Sequence, residues 1–124
     1  MEEAKEKNHF ITYKDKEIYY IDYKGLLDKE LLNTIIVNVK KIEELGEKRG
    51  KLLIIFDYTD TFASEEVMEY LKSNIEYLKY IKKSAILGII GIKKILLNVF
   101  NKLTNSHTVA FNTIEEAKDW LVKD

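Results

Sequence analysis

The chain has 124 residues, enough for one domain around one core and too few for two. Its 46% hydrophobic and 33% charged residues describe a globular rather than a disordered chain, and no apolar run approaches the ~20 residues of a bilayer span. The absence of cysteine excludes disulfides, thiolate catalysis and cysteine–zinc sites. The net charge of −1 conceals a block, because residues 77–114 carry six lysines and no acid.

Residues 1–8 are highly charged and lack the apolar stretch of a secretory signal. They are expected to form a flexible tail ahead of one domain over 9–124, in a cytoplasmic protein. HFITYK (His9–Lys14) and EIYYIDY (Glu17–Tyr23) are rich in β-branched and aromatic residues, and the intervening Asp15-Lys16 predicts a hairpin. Asp28 is a good N-cap for a helix whose stripe is Leu32, Ile35, Ile36, Val39, Ile42 and Leu45, ending near Gly46 to Gly50. LLIIF (Leu52–Phe56) is the continuous apolar run of a strand covered on both faces. Val67, Met68, Leu71, Ile75 and Leu78 space a second helix from Ser64. AILGII (Ala85–Ile90) predicts another buried strand. A third helix follows from the stripe Ile92, Ile95, Leu96, Val99, Phe100 and Leu103, which should cover the sheet and leaves Leu97 off it. HTVAF (His107–Phe111) closes the strands. Thr113 with Glu116 forms a capping box for a last helix bearing Ala117, Trp120 and Leu121. The order β-β-α-β-α-β-α-β-α predicts a single α/β domain. Its sheet is mixed and mostly parallel, a hairpin followed by right-handed crossovers, under about four helices.

FDYTDTFASEEV (Phe56–Val67) is the most informative stretch. A strand runs into an aspartate and three hydroxyl residues, and two glutamates open the next helix. One reading makes Ser64 an N-cap whose hydroxyl receives a first-turn N–H, worth ~1 kcal/mol. The other makes Ser64 a phosphoacceptor at a helix N-terminus. Charge favours the cap: Asp57, Asp60, Glu65 and Glu66 crowd the stretch, and no lysine or arginine occurs from Leu52 to Leu71. The residues Asp57, Thr59, Asp60, Thr61 and Ser64 also form an acidic, hydroxyl-rich lip suited to docking a partner.

The element order, LLIIFDYTDTF running into a helix, SAILGIIG followed by IKKILLNVFNK, and the closing FNTIEEAKDWL resemble the SpoIIAA-like branch of the STAS domains. The resemblance covers Phe10 to the C-terminus. It implies a non-enzymatic regulatory module that works by touching a protein partner or a second copy of itself. In the anti-sigma-factor antagonists of that family a serine at this helix start accepts phosphate, and Ser64 is the matching position.

The remaining candidates are electrostatic. Lys93, Lys94 and Lys102 flank the third stripe, and Lys79, Lys82 and Lys83 precede the adjacent strand. Together they are a candidate patch for an anionic membrane surface or lipid, the alternative being ordinary solvated lysines. The Gly88–Gly91 pair has the spacing of a KH-type RNA loop. Ile89 and Ile90 fill it, however, so no nucleic-acid partner is expected; Gly88 instead lets a helix approach and Gly91 makes a turn. His9 and His107 lack neighbouring ligands, and no metal or other cofactor is expected. Tyr13, Tyr19 and Tyr23 are half-buried sheet residues or the lining of a surface groove.

Overall fold

The computed structural model describes residues 7–62 and 64–123, the side chain of Ile92 excepted. Five strands form one sheet in the order β1-β2-β3-β4-β5: His9–Tyr13, Lys16–Asp22, Leu52–Asp57, Ile81–Leu87 and Val109–Phe111. β1 pairs antiparallel with β2, and every later pair is parallel. The hairpin turn falls one residue earlier than expected, on Lys14 and Asp15. Both have positive φ (50° and 68°), the geometry whose twist suits a two-residue hairpin.

The helices are α1 (Asp28–Arg49), α2 (Glu65–Ser73), α3 (Ile92–Thr104) and α4 (Ile114–Val122). Consecutive right-handed crossovers stepping in one direction deliver their helices to one face of the sheet. That face carries the larger core, in which Tyr19, Ile21 and Ile54 meet Leu31, Ile35 and Ile42 of α1, Val67 of α2 and Tyr77. Among the described residues, only α4 covers the other face, where Ala117 and Leu121 pack on Ile18, Tyr20, Ile55 and Ala85. Tyr19 and Tyr23 are thus buried in the core, and Tyr23 also lines the pocket beneath α3. Tyr13, on the edge strand, donates to Asp119 of α4.

Several element bounds differ from expectation for local reasons. Asp28 lies inside α1 with φ 48°, and Leu27 holds the N-cap position. α1 continues through Gly46, where a Cβ would meet Tyr80 at 2.5 Å; the missing side chain is the seat of that ring. The second helix is broken: α2 stops at Ser73 and a 3₁₀ segment spans Glu76–Tyr80. β4 starts four residues earlier and ends at Leu87, because Gly88 turns the chain with φ 83°. Most of the expected tail, residues 1–6, lies outside the described residues. Asn8 is fastened, its side chain bonding Asn38 and the Asp22 amide at 2.9 Å each.

Candidate functional site

The lip forms where β3 ends. Asp57 is buried, and its carboxylate accepts from the Tyr20 hydroxyl at 2.5 Å, the Thr59 hydroxyl at 2.6 Å and the Thr59 amide at 3.1 Å. Burial pushes the Asp57 carboxyl up, but the hydrogen bonds from Thr59 and Tyr20 outweigh it and hold the group below the usual aspartate range. The Tyr20 phenol is raised, first by burial and then by that carboxylate. Thr61 is buried too; its hydroxyl and amide both donate to the Tyr58 carbonyl. Asp60 turns the chain with φ 58° and faces solvent.

The lip is laced to the turn that follows β2 and to the end of β4. Gly25 N–H donates to the Thr59 carbonyl at 3.0 Å and Tyr58 N–H to the Leu87 carbonyl at 2.9 Å. A Cβ on Gly88 would stand 2.4 Å from the Thr59 nitrogen, so Gly88 admits the lip's backbone and not, as expected, a helix. Asp57 and Thr61 are therefore interior fasteners. Asp60 is exposed, and Thr59 and Ser64 are half-buried. Sequence reasoning missed the apolar part of the lip: Phe62 and Leu27, 58% and 51% exposed, bridge one another there.

Ser64 occupies the N-cap position of α2 in an extended conformation, and its carbonyl accepts from Val67 and Met68. Its hydroxyl makes no cap hydrogen bond, unlike Thr113, whose hydroxyl receives the Glu116 amide at 3.1 Å. The cation absent from the local sequence comes from α3: Lys93 Nζ donates to the Thr61 carbonyl at 2.8 Å. That contact spans 32 residues and leaves no local signal.

α3 departs most from expectation. Three residues of its apolar stripe face outward, Ile95 at 61%, Val99 at 44% and Leu103 at 62% exposure, with Ile90 of the preceding turn at 71%. The inward face instead presents Leu96, Leu97 and Phe100 with the Lys93 stem. These close a cavity of about 110 Å³ against Tyr58, Val67 and Tyr77, among other residues. Leu97, which had no place in the predicted stripe, lines this space. Hydrophobic spacing located the helix, but α3 is apolar on more than one side, so spacing alone did not orient it. Withdrawal from water pushes the Tyr58, Tyr23 and Tyr77 phenols up.

The six lysines divide. α3 returns between parallel strands, so Lys93 and Lys94 stand at the C-terminal end of the sheet and Lys82 and Lys83, within β4, at the opposite end. Lys102 lies near the far end of α3. Lys79 pairs with Glu76 at 3.4 Å. Lys83 lies over the Trp120 ring and donates to the carbonyls of Trp120 and Lys123 at 2.7 and 3.0 Å. Among the described residues, no three His, Asp or Glu side chains are grouped to hold a metal.

No family model matches this chain, and no curated protein matches its sequence. Among solved structures it is similar to an uncharacterised protein of the DUF3478 family with a SpoIIAA-like fold from Shewanella loihica PV-4. The two are 20% identical, the match covers 92% of this chain and 91% of the other, and the TM-score is 0.65. The fold of this chain is SpoIIAA-like.

Proposed function

From a SpoIIAA-like fold as premise, we propose that the chain is a non-enzymatic binding module that docks on an anionic membrane surface through the outer face of α3. The observation that carries this reading is the row Ile95, Val99 and Leu103, each more than a third exposed. Residues at i, i+4 and i+8 form one continuous ridge along a helix. The exposed Lys94 and Lys102 flank it, and Ile90 extends it at the N-terminal end. Exposed apolar side chains gathered on one face mark an interaction site. A basic amphipathic helix gains both from burying its ridge in the headgroup layer and from ~1 kcal/mol per lysine near anionic lipid. No helix among the described residues is long and apolar enough to cross a membrane.

Co-sedimentation with phosphatidylserine vesicles tests it. Binding should fall with salt, and Val99→Glu and Leu103→Glu should abolish it while leaving the circular dichroism spectrum unchanged. Equal binding to neutral vesicles, or full binding by Val99→Glu, overturns it.

The lip supports a second reading, docking of a regulatory protein partner or a second copy of the chain. Its support is the exposed pair Leu27 and Phe62 beside Asp60, with the uncapped Ser64 hydroxyl three residues from the Lys93–Thr61 contact. A Phe62→Ser variant that retains self-association in sedimentation velocity and retains every cross-linked partner removes this reading. Phosphate on Ser64, read by mass spectrometry of protein from its own cells, would add the switch that the family resemblance implies.

A further inference from the structure

β5 is short. It pairs only with Ala85–Leu87, so the first half of β4, Ile81–Ser84, has β3 on one side and, among the described residues, no strand on the other. The loop after α3 stands off from this open edge and leaves a groove of mixed lining and about 140 Å³, well above the ~10–15 Å³ that one water needs. Leu78 and Ile81 line it together with Lys82, Lys83, Ser84 and the loop residues Asn105, Ser106 and His107, and no carboxylate does.

The rim is built. Asn101 holds it from α3: its side-chain amide donates to the Thr108 carbonyl at 3.0 Å, and its Oδ1 accepts from the Ser106 hydroxyl at 2.8 Å. The Asn105 and Ser106 amides both close on the Asn101 carbonyl, which fixes the loop where α3 ends. Ser84 is anchored to Thr108 through a hydroxyl pair at 2.8 Å. Against this fixed frame, the side chains of Lys82, Asn105 and His107 are exposed donors with no hydrogen bond or ion pair among the described residues. Lys83 adds a charge that two neutral carbonyls anchor and no described carboxylate cancels.

We propose that this groove is a binding site for a compact oxyanion of the phosphate class, either free phosphate or a phosphate-bearing headgroup. Lys82 supplies the mobile cation, and Asn105 and His107 supply donors from the opposite wall. Lys83 supplies fixed charge, its remaining N–H directions being constrained by the carbonyls of Trp120 and Lys123. A tetrahedral dianion carries two charges and accepts hydrogen bonds at several oxygens, whereas a halide is a single spherical charge, so a groove lined by two lysines and further unpaired donors favours the former. The site is separate from the membrane ridge: it needs none of Ile95, Val99 or Leu103.

The test is a titration of the ¹⁵N-labelled full chain with inorganic phosphate, with sodium chloride holding ionic strength constant. Amide shifts should saturate at residues 82–84 and 105–107. Lys82→Gln should weaken binding at least fivefold, as should His107→Gln, with the rest of each spectrum unmoved. A parallel arm measures binding to phosphatidic acid vesicles. Saturation by free phosphate assigns a soluble ligand, and Lys82-dependent binding to those vesicles alone assigns the headgroup. Shifts spread evenly over the surface lysines, or no loss in Lys82→Gln in either arm, overturn the site. Val99→Glu should leave the phosphate titration intact, which separates failure of the groove from failure of the ridge.

Discussion

Tyr20 of β2 donates its phenolic proton to Asp57 of β3 from inside the α4-covered face, and the same carboxylate holds the Thr59 amide and hydroxyl. One buried anion thus joins a strand to the loop that leaves its neighbour. Removing the donor in Tyr20→Phe should cost about 1.5–3 kcal/mol, the range of a hydrogen bond to a charged group. The sign with pH follows from the depressed Asp57 carboxyl. Its contribution is complete above the ordinary aspartate value of about 3.9 and is lost as pH falls through the lower folded value. Urea midpoints measured from pH 7 down to pH 2 should show the two proteins converging as acid removes the contact in the wild type. Parallel curves would refute the assignment.

Alkali should act through the other ionisable groups of the core. Tyr20, Tyr23, Tyr58 and Tyr77 all have raised phenols, with burial the first cause of each. A folded pKa above the unfolded one means full stability below about pH 10 and progressive loss above it, as unfolded phenols ionise first. Absorbance at 295 nm and far-ultraviolet circular dichroism should therefore change together in alkali for this group. Complete phenolate formation while the fold persists would contradict the burial of these hydroxyls.

Gly46→Ala sets two effects against each other. Alanine favours a helix by about 1 kcal/mol over glycine. The added Cβ would lie 2.5 Å from both Cβ and Cγ of Tyr80, atoms that no ring rotation clears. The clash should dominate, with a net loss of about 1–3 kcal/mol in chemical denaturation. Gly88→Ala should cost about 2 kcal/mol or more, since it adds positive-φ strain (φ 83°) to a 2.4 Å encounter with the Thr59 backbone. A neutral result at either position would mean the neighbouring backbone yields.

Local stability should be lowest in α3. None of its described side chains is buried, whereas α1 buries Leu31, Ile35, Val39 and Ile42. Its amides should exchange with deuterium well before those of α1. Lys93→Met, which removes the Nζ contact to Thr61, should speed exchange at the start of α3 and leave α1 unchanged. Uniform protection across both helices would show the outer ridge to be more firmly held than its packing implies.

The parts of this structure that the sequence made legible are those fixed by neighbours along the chain. The capping pair Thr113 and Glu116, the runs of β3 and β5 and the hairpin follow from spacing and side-chain type, and so does the parallel sheet. What stayed hidden depends on partners far away. Ser64 and Thr113 look alike locally, yet only Thr113 caps its helix with its hydroxyl. Lys93 reads as a solvated lysine until Thr61 is found beside it. α3 carries Ile95, Leu96, Leu97, Val99 and Phe100 in close succession, and only the tertiary fit decides which of them face Tyr77 and which face water. The open edge of β4 is likewise invisible, because it is set by the three-residue length of β5.

The strictly sequential strand order also carries a cost during synthesis. With α1, α2 and α3 all on one side, Ile18, Ile55 and Ala85 have no cover until Ala117 and Leu121 arrive from the last helix. A nascent chain still holding α4 within the ribosome therefore shows cellular chaperones a bare sheet face, and its protection from misassembly begins only as those final turns emerge.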